Sequence, residues 1–100
     1  MMPYALIGED KPDSLESRMA VRGEHLARLK ALQEEGRLLM AGPFPAIDSP
    51  DPGPAGFSGS LIVAEFESLA DAEAWMADDP YVKTGVFVKS TVKPYKKVLP

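Results

Sequence analysis

Residues 57–79, FSGSLIVAEFESLADAEAWMADD, contain a strand followed by a helix, and this unit decides the fold class. In Phe57–Phe66 alternate residues form two faces that differ in composition, and this period of two predicts a strand. Ser68 and Asp71 then have the spacing of a capping box at the start of a second, shorter helix. That helix has to end at Asp78–Asp79, because the proline that follows disfavours helical geometry in the residue before it.

Three further strands are predicted outside this unit. Tyr4–Ile7 is a short apolar run, Arg37–Ala41 is another that stops at Gly42–Pro43, and a last strand runs from about Gly85 to Val92. Pro94 is tolerable in that last strand only near an edge or a strand end. With one helix after each of the first and third strands, the order is β-α-β-β-α-β. We therefore predict a single α+β domain over residues 1–100, with a ferredoxin-like four-stranded antiparallel sheet and both helices on one face.

The first helix, from about Leu15 to Glu35, ends before Gly36, which suits the left-handed conformation that follows a helix. Its apolar stripe of leucines also contains Arg18, Arg22 and His25, spaced three or four residues apart. Buried charge is costly unless it is paired, so these groups indicate a cleft for an anionic or proton-exchanging ligand. The alternative is that the arginines extend around the rim of the core and His25 is an ordinary hydrogen-bonded helix residue.

Asp79 is the predicted partner of His25. Pro80 favours an extended backbone at Asp79, and in this fold the end of the second helix and the middle of the first share one face of the sheet. A carboxylate bonded to an imidazole fixes its tautomer, which suits a general base. Asp79 is otherwise only a loop residue before a proline. Ser58 and Ser60 share one face of their strand, where they either donate hydrogen bonds to a ligand or are simply polar residues on a half-wet face.

The segment Phe44–Gly56 is rich in proline, and we expect it to be ordered but irregular. A loop of this length in so small a domain is usually functional or mobile. We therefore expect it to lie over or beside the cleft.

Composition excludes several classes of function. The net charge of −4 argues against non-specific nucleic-acid binding. The chain has no cysteine and one histidine, which excludes thiolate chemistry and a multi-histidine metal site within one chain. No nucleotide or phosphate motif is present, so no cofactor and no metal are predicted. No apolar run is long enough for a membrane helix, and a cytoplasmic protein is the expectation.

Five segments of the chain resemble the YciI-like family. They are YAL (residues 4–6), RGEHLARL (22–29), GRLLMAGP (36–43), DPYV (79–82) and VKPYKKV (92–98). The resemblance implies a ferredoxin-like fold and a dimeric α+β barrel whose two sheets pack face to face, as in the muconolactone isomerases. It also implies an active site with a histidine–aspartate pair, here His25 and Asp79. Asp48 and Asp51 match acidic positions of close relatives and are the alternative carboxylates.

The wider family includes a chlorinated-hydroquinone dehydrochlorinase, so the resemblance makes cofactor-free proton abstraction from a small ring compound conceivable. Our first hypothesis is a homodimeric lyase or isomerase that acts on a small anionic or aromatic metabolite. In it His25 is the general base or acid, Asp79 its orienting partner, Arg22 the anion clamp, and Ser58 or Ser60 a hydrogen-bond donor. The alternatives are a non-catalytic metabolite-binding module and a purely structural dimer.

Overall fold

A computed structural model describes all 100 residues and confirms the predicted α+β architecture. The sheet is antiparallel, in the order β2-β3-β1-β4. The elements in chain order are β1 (Met2–Asp10), α1 (Leu15–Glu34), β2 (Leu38–Pro45), a 3-10 turn (Gly53–Ala55), β3 (Phe57–Phe66), α2 (Leu69–Ala77), α3 (Pro80–Lys83) and β4 (Phe87–Pro94).

The ends of the two long helices follow the chemistry of their terminal residues. Gly36 adopts a φ of +73° after α1, which a residue with a side chain rarely does. At the start of α2, the Ser68 hydroxyl accepts a hydrogen bond of 3.1 Å from the Asp71 N–H. Both helix boundaries lie close to the predicted ones.

Two strands are longer than the sequence predicts. β1 continues past Gly8 to Asp10, and β2 continues through Gly42–Pro43 to Pro45. β2 is an edge strand, and a proline is tolerated there because its missing N–H faces no neighbouring strand. The proline-rich loop therefore begins at Ala46 rather than at Phe44, and a 3-10 turn is its only regular part.

A third short helix was not predicted. The backbone at Asp79 is extended, with φ −69° and ψ 137°, as expected before a proline, but α3 starts immediately afterwards. The Asp79 carboxylate is thus the N-cap of α3, and it accepts a hydrogen bond from the Tyr81 N–H. A carboxylate is favourable at a helix N-terminus, whereas it would oppose the dipole at a C-terminus.

The core fills the space between the helices and one face of the sheet. Tyr4 and Leu6 of β1 and Ile62, Ala64 and Phe66 of β3 point into it, and α1 and α2 cover them. Its largest fully buried apolar side chains are Leu6, Leu32, Phe66, Tyr81 and Val86. None of the helices combines the length and the apolar character that a membrane span requires.

Candidate active site

His25 and Asp79 form a buried pair between α1 and α3. The imidazole Nδ1 lies 2.9 and 3.0 Å from the two carboxylate oxygens of Asp79. Asp79 is completely buried and His25 is 6% exposed. Because an ionised carboxylate can only accept, Nδ1 is the donor in this contact, and in the neutral imidazole the free lone pair is then on Nε2. The structure thus contains the His25–Asp79 contact that the sequence predicts.

Two further donors hold the Asp79 carboxylate. The Tyr81 N–H donates to one of its oxygens at 2.9 Å, and Arg28 Nη1 donates to the other at 3.2 Å. Arg28 is fixed in turn by a hydrogen bond of 2.8 Å to the Trp75 carbonyl and by stacking of its guanidinium 3.9 Å from the centroid of the indole ring. The carboxylate thus has little freedom to rotate, which fixes the orientation of the imidazole.

Tyr81 covers one face of the imidazole. The two ring centroids are 4.2 Å apart and the planes are inclined by only 22°, so the rings are stacked. Burial raises the pKa of the Tyr81 phenol above its usual value, against the opposing positive charges of Arg18 and Arg22. The phenol therefore stays protonated over the whole physiological pH range.

Arg18 is a buried cation beside these rings. Its Nε lies 2.6 Å from the Asp10 carboxylate, and its Nη2 donates to the Ser60 hydroxyl at 2.7 Å and to the Gly59 carbonyl at 2.9 Å. Its guanidinium carbon lies 4.7 Å from the centroid of the Tyr81 ring. Since Ser60 accepts from Arg18 and donates to no group of the chain, its own O–H remains available to a ligand.

A cavity of about 270 Å³ adjoins both the dyad and this cation, with walls from α1, β2, β3 and α3. Its polar lining residues are Arg18, Arg22, His25, Ser60 and Tyr81. No fully shielded side-chain nitrogen or oxygen of the protein lacks a hydrogen-bond partner. His25 Nε2 has no partner in the chain, so it is accessible from the cavity. The arrangement can bind a small molecule and exchange a proton with it.

The residues predicted for the site have different placements. Arg22 lies at the mouth of the cavity, exposed and without an ion-pair partner, and Ser60 lines the interior. Ser58 does not line the cavity: it is exposed, and its hydroxyl donates a long bond to the Phe44 carbonyl. Asp48 and Asp51 are exposed in the loop, so the structure brings Asp79, and not these two, to His25.

The proline-rich loop lies beside the cavity, which is one of the two placements expected for it. None of its residues lines the cavity. Its last residue, Gly56, packs against Leu15, which is a lining residue at the start of α1. The loop therefore lies beside one wall of the cavity and does not cover it.

Three residues of the site were missed from sequence. Arg28 follows His25 by three residues, a spacing that puts both on one side of a helix, and Tyr81 follows Asp79 by two across a proline. These spacings were available signals. Asp10 gives no such signal, because its pairing with Arg18 depends on β1 running three residues beyond the apolar run Tyr4–Ile7.

The structure holds no group of three or more His, Cys, Asp or Glu side chains arranged to bind a metal ion. A larger groove of about 920 Å³, with Trp75 and Phe66 in its walls, lies on the other side of Arg28. It is shallow and contains neither His25 nor Tyr81, so the smaller cavity is the candidate active site.

Fold and site together define a class: a small βαββαβ protein with a His–Asp pair beside a cavity between its first helix and the sheet. The sequence matches the YCII-related domain over residues 2–96. The chain therefore belongs to the YCII-related family.

Similar proteins agree with this assignment. The chain is 60% identical to Protein YciI of Escherichia coli O6:H1 over 97 residues, which cover 97% of this chain and 99% of that protein. It is 56% identical, with the same coverage, to an uncharacterized protein of Haemophilus influenzae.

Among solved structures, the chain is similar to 5-chloro-2-hydroxyhydroquinone dehydrochlorinase (TftG) from Burkholderia phenoliruptrix AC1100, in complex with 2,5-dihydroxybenzoquinone. The TM-score is 0.82 with 26% identity, over 95% of this chain and 94% of that one. Protein Atu4242 from Agrobacterium tumefaciens, with a TM-score of 0.52 and 17% identity over 96% of this chain and 92% of that one, supports the fold alone.

Proposed function

We propose that the protein is a cofactor-independent enzyme that transfers a proton to or from a small anionic or aromatic metabolite, in a lyase or isomerase type of reaction. The observation that carries this proposal is the His25–Asp79 pair, whose free Nε2 is accessible from the cavity. A histidine fixed in one tautomer by a buried carboxylate is an effective general base near neutral pH.

The proposed step begins with a ligand C–H or O–H next to Nε2. Nε2 takes the proton, and the bonding electrons remain on the ligand as an enolate or phenolate. The positive charge on the imidazolium is stabilised by Asp79, which keeps its own negative charge. The proton then returns to another atom of the ligand in an isomerisation, or leaves to solvent with loss of an anionic group in an elimination.

Ligand selection is assigned to the cations and hydroxyls of the cavity. Arg22 at the mouth attracts an anion, and because it has no acidic partner its charge is not compensated within the chain. Ser60 offers its O–H inside. A volume of about 270 Å³ suits a compact ring compound rather than a nucleotide. TftG, which is similar over nearly the whole chain, binds a dihydroxybenzoquinone and is named for the loss of chloride from a hydroxyhydroquinone, which supports this ligand class.

The test uses 2,5-dihydroxybenzoquinone as the probe. We expect the wild-type protein to bind it, and to accelerate exchange of its ring protons in D₂O as followed by proton NMR. His25→Asn should abolish the acceleration while preserving the fold, because the asparagine amide can still donate to Asp79. Glu24→Gln, an exposed neighbour on α1, is the matched control and should exchange at the wild-type rate.

The outcomes separate the candidate functions. Binding without exchange, by both the wild type and the control, would replace the catalytic proposal with the metabolite-binding module. Absence of binding by the quinone and by a panel of small phenols and anions would leave the structural dimer. Release of chloride from 5-chloro-2-hydroxyhydroquinone is a second assay for elimination.

A homodimer with the outer faces of two sheets in contact is part of this proposal. The strand register places the apolar side chains of Ala5, Ile7, Met40 and Leu61 on the face opposite the helices, around Val63, which is already buried within the chain. Met40 is 56% exposed there, and a patch of this kind usually marks an interface. Sedimentation should give a dimer at micromolar concentration and a weakened one for Met40→Glu; a wild-type monomer would contradict this. We also propose a cytoplasmic location, to be tested by cell fractionation.

A further inference from the structure

The hydroxyl of Tyr81 is the strongest unassigned group in the cavity. It donates to no acceptor in the chain, and Tyr81 is one of the residues that line the cavity. Buried O–H groups normally find an acceptor. A free phenol donor, in a residue that is only 2% exposed, therefore indicates that the acceptor comes from a ligand.

The position of the ring gives this donor a defined relation to His25. Tyr81 lies stacked on the imidazole at 4.2 Å, and its backbone N–H is bonded to the same Asp79 carboxylate that orients Nδ1. One turn of chain, Asp79-Pro80-Tyr81, thus fixes both the base and the phenol. A ligand that places one atom at His25 Nε2 has other atoms within the reach of the Tyr81 hydroxyl.

The surroundings of the ring favour a donor rather than an acceptor. Phe87 packs edge-on against Tyr81 at 5.4 Å, and burial disfavours the phenolate. Of the charged groups around the ring, Arg18 and Arg22 are cations and Asp79 is the anion. The Arg18 guanidinium lies over the ring and its charge is balanced by Asp10, so a positively charged group lies next to the neutral phenol.

We propose that Tyr81 is a catalytic residue that stabilises the negative charge that develops on the ligand when His25 removes a proton. The inference rests on the proposed function. The ligand proton moves to Nε2, the electron pair of the broken bond is delocalised onto a ligand oxygen, and the Tyr81 O–H donates a hydrogen bond to that oxygen. Tyr81 keeps its proton, so the step needs no further acid. The preferred ligand is therefore one whose oxygen is conjugated to the atom that loses the proton, such as an enol, a phenol or a hydroxyquinone.

The test is Tyr81→Phe, which keeps the stacked ring and removes only the hydroxyl. We expect binding of 2,5-dihydroxybenzoquinone to weaken about 10- to 100-fold, the range of a hydrogen bond to a charged group. Ring-proton exchange should slow by at least the same factor. Tyr95→Phe, in the tail beyond β4, is the matched control and should change neither.

A series of substituted nitrophenols separates a hydrogen bond from a steric effect. In the wild type, affinity should rise with the proton affinity of the phenolate, and its absorption band should shift to shorter wavelength on binding. In Tyr81→Phe both trends should be reduced. Suppose that Tyr81→Phe binds the nitrophenols with the affinity and the absorption band of the wild type, while His25→Asn still loses exchange. This result would overturn the role of Tyr81 and leave the proposed function intact. Absence of any binding to the wild type would overturn both.

Discussion

Replacing Asp79 by alanine removes the one group to which three donors of the site converge. The variant leaves the His25 Nδ1–H, the Tyr81 N–H and Arg28 without their shared acceptor. It also removes the N-cap of α3. Asp79 is completely buried, so water does not replace the lost carboxylate without a rearrangement of the chain.

The expected cost can be worked out from these contacts. Loss of an N-cap costs about 1 kcal/mol. A buried imidazole N–H without an acceptor costs about 1–3 kcal/mol. The Arg28 side chain is 22% exposed and can turn towards solvent, so its pair with Asp79 contributes at most about 1 kcal/mol. We therefore expect the free energy of unfolding to fall by about 2–5 kcal/mol, a large part of the stability of a domain of this size.

Urea unfolding followed by circular dichroism measures this difference. Asp78→Ala is the matched control: it removes the adjacent carboxylate, which is exposed and paired only with the exposed Lys83. Its midpoint should stay close to that of the wild type. Equal midpoints for the two variants would refute the reasoning, because they would mean that the buried carboxylate contributes no more than a surface one.

Three further predictions concern other contacts of the site. Because burial raises the pKa of Tyr81, this phenol ionises in the unfolded chain before it does in the folded protein as the pH rises above about 10. The free energy of unfolding of the wild type should therefore fall from that pH upwards, and it should fall less in Tyr81→Phe. Urea unfolding at a series of alkaline pH values measures both. Arg22→Gln should weaken binding of the dihydroxybenzoquinone dianion several-fold at low salt and much less at high salt, as measured by calorimetry, without a change in stability; equal weakening at all salt concentrations would contradict an electrostatic role. Asp10→Ala should destabilise the protein by about 3–5 kcal/mol in urea, because it leaves Arg18 buried and unpaired, and Asp10→Leu combined with Arg18→Met should recover much of this loss.

Much of the fold is encoded in local patterns. The alternation in Phe57–Phe66, the cap at Ser68 and the glycine after α1 each act over a few residues, and each has the structure that the sequence predicts. The lengths of β1 and β2 are not encoded in this local way, because they depend on pairing with neighbouring strands. Gly42–Pro43 stops an isolated strand, but an edge strand tolerates it, and edge position is a property of the whole sheet.

The same distinction applies to the site. The His25–Asp79 contact could be predicted because Pro80 limits the backbone of Asp79 and the fold places α1 next to it. The role of Asp79 as an N-cap depends on α3, whose single turn has too few residues for a periodic pattern. Ser58 and Ser60 are equivalent in a period-two pattern, and only the three-dimensional position of the Arg18 side chain, which donates to Ser60, separates them.

The central claim is that Asp79 holds His25 with Nε2 available to a ligand, and nitrogen-15 NMR of the imidazole tests it most directly. The chain has one histidine, so the spectrum contains a single pair of ring signals. At a pH where the imidazole is neutral, we predict a protonated Nδ1 and an unprotonated Nε2, with the Nε2 signal shifting when 2,5-dihydroxybenzoquinone is added. A protonated Nε2 in the wild type, or an Nε2 signal that saturating probe leaves unchanged, would contradict the account.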